Sequence, residues 1–112
     1  MQVEQQVEEQ DIRKGIIIVT GKDIADMMIL KDTIDMMNSS EYQQRFKAEY
    51  YQLVIRYYKL KVMLDKWDNG TLEFTPTCPR STYNIQIKAM TDYIAILEAR
   101  AVMEDIDLDL DI

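Results

Sequence analysis

The chain contains no histidine, which removes the commonest general base near neutral pH and the commonest transition-metal ligand. The single cysteine, Cys78, has no second cysteine for an internal disulfide and no histidine to activate it as a nucleophile. Catalysis would have to depend on carboxylates, lysine or tyrosine, and no arrangement of these groups indicates a reaction. We therefore expect a protein that is not an enzyme, with no metal site and no cofactor.

Long apolar runs are also missing, because the longest, Ile16 to Val19, is far too short to span a bilayer. Basic residues are in the minority, with 13 against 20 acids and a net charge of −7. That balance disfavours binding to duplex nucleic acid or to an anionic membrane. The first ten residues are polar and acidic and do not resemble a signal peptide. We expect a soluble, cytoplasmic protein without either kind of partner.

Glycine and proline are scarce, with three and two residues, and both prolines lie between residues 71 and 79. On either side of that loop, apolar residues recur at alternating spacings of four and three, which keeps one seam of a helix facing a partner helix. The sequence predicts a long antiparallel two-helix hairpin over about 41–68 and 80–103. The two seams consist of Phe46, Tyr50, Leu53, Tyr57, Leu60, Leu64 and Trp67, and of Tyr83, Ile87, Met90, Ile94, Leu97 and Ala101.

The predicted fold class is all-α, with a shorter N-terminal helix over about 22–38 packed on the hairpin. Short extended segments are expected at 16–19, which is rich in β-branched residues, and at 105–112, where acids alternate with aliphatic residues. These segments are candidates to pair, within one chain or between chains. We expect residues 15–112 to form a single helical domain that ends in an acidic tail, 104–112, and residues 1–14 to be flexible.

Both long helices carry a second apolar stripe that an isolated hairpin would expose. The N-terminal helix can cover part of this surface, and a symmetric partner can cover the rest, so we predict a homo-oligomer. The stripe comprises Tyr51, Val54, Ile55, Tyr58 and Val62 on the first long helix and Ile85, Ala89, Ile96 and Met103 on the second.

Several short segments between about Ser40 and Leu108 form a recognisable pattern. They are Tyr42-Gln43-Gln44-Arg45, Lys59-Leu60, the run from Asp68 to Phe74, Cys78-Pro79, the run from Gln86 to Met90 and the run from Tyr93 to Ala101. In these segments the chain resembles small helical proteins encoded by tailed bacteriophages and prophages, including crAss-like phages. The resemblance implies a non-catalytic phage accessory protein that acts in the cytoplasm of the infected bacterial host, and it implies no particular biochemical role.

The first long helix interleaves tyrosines with basic residues. A solvated basic face with tyrosines at the edge of the seam explains this pattern without a ligand. The alternative is a nucleotide site, because tyrosine stacks on bases and arginine or lysine holds phosphate. The ligand-binding hypothesis assigns this site to Tyr51, Arg56, Tyr58, Lys59 and Lys66.

Three function classes stay open. In the first, the protein is an anti-defence sponge that sequesters a nucleotide second messenger of host immunity. In the second, it is an inhibitor or adaptor that binds a host or phage protein through its helical face or its acidic tail, with Asp107, Asp109, Asp111 and Ile112 as contacts. In the third, it is a structural oligomer component.

Overall fold

The computed structural model describes residues 21–109, and within that range all regular secondary structure is helical. The predicted all-α class, with two long helices and a shorter N-terminal helix, is confirmed. The predicted flexible residues 1–14 and the predicted extended segment 16–19 lie outside the described range. In chain order the elements are α1 (Gly21–Met27), a 3-10 turn (Leu30–Thr33), α2 (Ile34–Met37), α3 (Tyr42–Asp68) and α4 (Arg80–Met103).

Helices α3 and α4 form the antiparallel hairpin, because the start of α3 contacts the end of α4. At that open end, the Tyr42 hydroxyl donates to Glu104 at 2.6 Å and accepts from Arg100 at 3.0 Å. At the loop end, Trp67 packs edge-on against Tyr83 with ring centroids 5.7 Å apart. Polar and aromatic contacts therefore fix the register of the hairpin at both ends.

The loop between the long helices begins at Gly70, whose φ of 81° is in the left-handed region that favours glycine. The Thr71 amide donates to the Lys66 carbonyl at 2.9 Å, which satisfies a carbonyl in the last turn of α3. Across the loop, the Arg80 guanidinium donates to both carboxylate oxygens of Asp68 at 3.0 Å. This hydrogen bonding lowers the pKa of Asp68 below its ordinary value.

The N-terminal segment differs from the single helix predicted over 22–38, because it is interrupted after Met27. The Asp32 carboxylate accepts a hydrogen bond from the Ile29 amide at 2.9 Å. This local bond replaces the intrahelical bond that the amide would otherwise make, which is the usual way in which aspartate competes with a helix. The chain therefore turns at Ile29 and resumes as the 3-10 turn and α2.

The core lies where α1, the turn and α2 pack on the first half of α3. Ile24 of α1 is buried together with Tyr51, Val54 and Ile55, so the N-terminal segment covers the first part of the second apolar stripe of α3, whereas Val62 at its end is 54% exposed. The second stripe of α4 is left exposed.

After α4 the chain turns at Asp105, which has a φ of 58°, and runs back over the core. Residues 105–109 contain no strand, and residues 16–19, with which the tail was predicted to pair, lie outside the described residues. The alternation nevertheless describes the side chains, because Ile106 is buried and Leu108 packs against the core, whereas Asp107 is exposed. The Tyr51 hydroxyl donates to the Leu108 carbonyl at 3.0 Å and fixes this segment.

Candidate ligand-binding site

A cavity of about 200 Å³ lies beside the hairpin, between the start of α1, the middle of α3 and the second half of α4. Three of the residues that line it are tyrosines, and the rest are small, aliphatic or acidic. The lining consists of Gly21, Tyr50, Val54, Tyr57, Tyr58, Thr91, Ile94 and Glu98. Ligand sites of about 300–1,000 Å³ enclose whole small molecules, so this cavity fits one ring system of a larger ligand.

The tyrosines reach the cavity because α3 presents residues 50, 54, 57 and 58 on adjacent positions of one face. The rings of Tyr57 and Tyr58 meet edge to face, with centroids 4.9 Å apart. The start of α1 packs against them, since a Cβ at Gly21 would lie at ordinary contact distance, 3.4 Å from Val54 and 3.5 Å from Tyr58. The result is an aromatic wall that is partly open to solvent.

A cation lies one helical turn beyond this wall. The Lys61 ammonium lies 6.0 Å from the centre of the Tyr57 ring, at the outer limit of a cation–π contact. Among residues 21–109 no carboxylate forms an ion pair with this ammonium. The aromatic wall and the cation together offer stacking and phosphate attraction on one face of α3.

The α4 side of the cavity carries an acidic group that is hydrogen-bonded to α3. The Tyr50 hydroxyl donates to the Glu98 carboxylate at 2.7 Å. Burial, and then the hydrogen bond to Glu98, raise the pKa of Tyr50 well above its ordinary value, so the hydroxyl stays protonated and Glu98 keeps its donor. The remaining lone pairs of Glu98 can accept hydrogen bonds from a ligand with amino groups.

The structure separates the five residues of the ligand-binding hypothesis. Tyr58 lines the cavity, but Tyr51 is buried in the core, where its hydroxyl bonds to Leu108. Arg56, Lys59 and Lys66 share an exposed stripe of α3, and within residues 21–109 none of the three forms an ion pair. Arg56 and Tyr58 are two residues apart, or roughly 200° around the helix, so the basic stripe faces away from the cavity.

Of the tail residues proposed to bind a partner, Asp107 is exposed and Asp109 is half-buried. Asp111 and Ile112 lie outside the described residues.

Sequence reasoning missed Tyr57, Lys61 and Glu98 as site residues. The heptad pattern places Tyr57 in the hairpin seam. However, Lys61 follows Tyr57 by four residues and Tyr58 by three, and this spacing on a helix places two rings and a cation side by side. Glu98 could not be found in this way, because its position beside Tyr50 depends on the register of α4 against α3.

Residues 21–109 contain no group of three or more histidine, cysteine, aspartate or glutamate side chains placed to hold a metal ion. None of the helices in this range is long and apolar enough to cross a membrane.

A family model named Sequestin matches residues 40–103, which is more than half of the chain. The chain belongs to the Sequestin family. The family name denotes sequestration, which is the binding of a partner molecule and not its chemical conversion. The matched span contains α3, the loop and α4, and therefore every residue of the cavity lining except Gly21. No curated protein and no solved structure matches the chain.

Proposed function

We propose that the protein is a non-catalytic sponge that sequesters a nucleotide, and that it acts as a phage anti-defence protein against a nucleotide immune signal in the cytoplasm of the infected bacterium. The observation that carries the proposal is the tyrosine-lined cavity with Lys61 beside it, within the span that matches a family named for sequestration. Sequestration requires tight binding without turnover, so the site needs groups that bind the ligand and does not need catalytic groups.

In the proposed complex a base enters the cavity and stacks on the aromatic wall. Base–aromatic stacking contributes about 1–3 kcal/mol per base, and it tolerates different bases because every base has a π face. Glu98 and Thr91 at the cavity provide acceptors for exocyclic amino or ring N–H groups. Guanine, adenine and cytosine carry an exocyclic amino group, so they offer these acceptors more donors than uracil, whose base has only its ring N–H.

Charge orients the nucleotide. The Glu98 carboxylate repels a phosphate from the α4 side of the cavity, whereas Lys61 of α3 attracts it. A nucleotide therefore binds with its base in the cavity and its phosphate toward Lys61. Arg56, Lys59 and Lys66 remain a second candidate surface, because their charges, which form no ion pair within residues 21–109, can hold phosphate on the opposite face of the same helix.

The test is native mass spectrometry of the purified protein with a panel of cyclic oligonucleotides and ADP-ribose derivatives. We expect one defined ligand mass per site, returned unaltered after the protein is denatured. A protein that gains no mass with any member of the panel, or that releases a converted product, would contradict the proposal.

Two lysines of α3 provide a matched pair of variants that locates the site. Lys61→Glu places an acid beside the cavity, and we expect it to weaken nucleotide binding by about tenfold or more. Lys59→Glu makes the same charge change two residues away on the opposite face, and we expect it to retain binding. If Lys61→Glu retains nucleotide binding while Lys59→Glu and Arg56→Glu weaken it, the nucleotide is assigned to the basic stripe.

Protein binding is the second candidate function, and the exposed apolar side chains of the N-terminal segment favour it. Met27, Ile29, Ile34 and Met37 are all about half exposed on one short stretch. Methionine-rich apolar surfaces adapt to partner proteins. An inhibitor or adaptor that uses this surface would lose its partner in Ile29→Asp while retaining nucleotide binding.

A further inference from the structure

A second cavity, of about 190 Å³, lies at the loop end of the hairpin. It is lined by Lys66 at the end of α3 and by the four loop residues Thr71, Leu72, Glu73 and Phe74. None of these residues belongs to the tyrosine-lined cavity in the middle of the hairpin. This loop cavity is therefore separate from the candidate nucleotide site.

Hydrogen bonds of the turn hold the loop cavity in shape. The Asn69 side-chain oxygen accepts from the Thr71 amide at 3.2 Å and from the Thr71 hydroxyl at 2.6 Å. The Thr71 amide also donates to the Lys66 carbonyl, so the loop folds back on the last turn of α3. The ion pair between Asp68 and Arg80 joins the end of α3 to the start of α4. Because these contacts fix the turn, the loop cavity is formed before a ligand binds.

Lys66 and Glu73 bring opposite charges to the loop cavity without pairing. Within residues 21–109 neither side chain forms an ion pair, with the other or with any third residue. A ligand that carries one negative and one positive group satisfies both charges through charge-assisted hydrogen bonds. The carboxylate and the ammonium of an α-amino acid are such a pair of groups, placed on one carbon atom.

The remaining surface of the loop cavity is apolar. Phe74 is 59% exposed, and among residues 21–109 its ring packs on no other aromatic ring. Leu72, which lines the same cavity, is half-buried. Aromatic rings pack favourably on other rings and on aliphatic groups, so the ligand that fits this surface has an aromatic side chain.

We propose that the loop cavity binds a free α-amino acid with an aromatic side chain. Its carboxylate pairs with Lys66, its ammonium pairs with Glu73, and its ring packs on Phe74 and Leu72. The cavity is smaller than the 300–1,000 Å³ of typical ligand sites, which fits a single amino acid and not a longer peptide. This site does not depend on the proposed function, because it uses no residue of the tyrosine-lined cavity.

The test follows the backbone amide signals of the full chain by NMR during a titration with L-phenylalanine. We expect saturable shifts at residue 66 and at residues 71–74, with a dissociation constant of about 1 mM or lower. Two analogues each remove one charge, since 3-phenylpropionate lacks the ammonium and phenethylamine lacks the carboxylate. Each analogue should bind about tenfold more weakly than phenylalanine, and glycine, which has no ring, should not bind.

Variants of the loop cavity assign each contact. Glu73→Gln should weaken phenylalanine binding about tenfold and leave 3-phenylpropionate binding unchanged, whereas Lys66→Gln should weaken phenylalanine and leave phenethylamine unchanged. Phe74→Ala should weaken the binding of all three molecules. Lys31→Gln is the control, because it removes an exposed lysine of the 3-10 turn and should bind phenylalanine like the wild type.

Three outcomes would overturn the proposal. They are a titration with phenylalanine that gives no saturable shift, shifts confined to residues outside the loop cavity, and an analogue with one charge that binds as tightly as phenylalanine. Glu73→Gln and Phe74→Ala touch neither the tyrosine-lined cavity nor the basic stripe, so both should retain nucleotide binding. Failure of the amino-acid site is therefore distinguishable from failure of the proposed function, and the amide spectrum of each variant shows whether the fold is retained.

Discussion

At the scale of single residues, the pairing of Tyr50 with Glu98 links stability to the candidate site. The tyrosine is buried in the core, yet its hydroxyl reaches the cavity and donates to a carboxylate of the facing helix at 2.7 Å. One contact therefore joins α3 to α4 and orients the acceptor that we assign to a bound base. Because the hydroxyl is held protonated, the contact should also be visible in the pH dependence of folding.

In Tyr50→Phe, the free energy of unfolding should fall less at high pH than it does in the wild type. The pKa of Tyr50 is raised in the folded protein, whereas the unfolded chain titrates near its ordinary value of about 10. Above about pH 10 only the unfolded state releases this proton, so the free energy of unfolding falls as pH rises. Urea unfolding at about pH 9 and about pH 11 measures the fall, and we expect a smaller fall in Tyr50→Phe than in the wild type.

Glu98→Gln separates the two causes of that shift. Burial is the larger cause and the hydrogen bond to Glu98 is the second, so Glu98→Gln should keep most of the wild-type pH dependence. If Glu98→Gln flattens the curve as strongly as Tyr50→Phe, the carboxylate and not burial controls the titration, and the prediction is contradicted.

At the scale of elements, the 3-10 turn depends on one buried polar residue. Thr33 is the buried polar residue of the described core, and its hydroxyl donates to the Leu30 carbonyl at 2.8 Å. The same oxygen accepts from the Gln52 side chain of α3 at 2.9 Å. Through these two hydrogen bonds the 3-10 turn is connected to α3. Apolar packing alone would not define the angle of α2 at this position.

Thr33→Val should reduce the free energy of unfolding by about 1–2 kcal/mol, because it removes the hydroxyl and leaves the Gln52 amide without its main acceptor. Gln52 also donates to the Met37 sulfur at 3.3 Å, a weaker acceptor that limits the loss. The double variant Thr33→Val/Gln52→Met measures the coupling, which we expect to be about 1 kcal/mol. If the stability losses of the two single variants add up to the loss of the double variant, the two side chains act independently.

The elements also show how far the sequence predicts this fold. The long helices were predictable because seven-residue patterns extend over many turns and the glycine and prolines lie in the loop between them. The interruption after Met27 was not predictable in the same way. It depends on one aspartate that bonds to the Ile29 amide, and the apolar residues on both sides of the break still fit a helical period.

The candidate site was predicted less well, for a geometric reason. Residues on one helix, such as Arg56 and Lys59, can be grouped from spacing, but a cavity is formed by several elements. Tyr58 was selected for its ring, whereas Glu98 and Gly21 belong to other helices and entered only with the three-dimensional register. Sequence periodicity fixes which face a residue occupies, and it does not fix which faces of different helices meet.

At the scale of the whole molecule, the hairpin is closed by its C-terminal segment. Arg100 lies over the Phe46 ring at 5.0 Å and bonds to both Tyr42 and Glu104, so the end of α4 is fixed to the start of α3. The chain then turns at Asp105, and Ile106 and Leu108 pack on the core. The acidic tail predicted to reach a partner is therefore, over residues 105–108, part of the folded domain.

Ile106→Ala should reduce the free energy of unfolding by about 2–4 kcal/mol, because Ile106 is only 7% exposed and its truncation leaves a cavity in the hydrophobic core. Val102→Ala is the control at the same end of the molecule, since this β-branched residue is 82% exposed and should change stability by less than about 0.5 kcal/mol. Chemical unfolding of both variants measures the contrast. Equal, small effects would mean that the segment does not contribute to the core, and the tail would again be available to bind a partner protein. A large effect for Ile106→Ala alone would confine any partner contact to Asp107 and the residues beyond the packed segment.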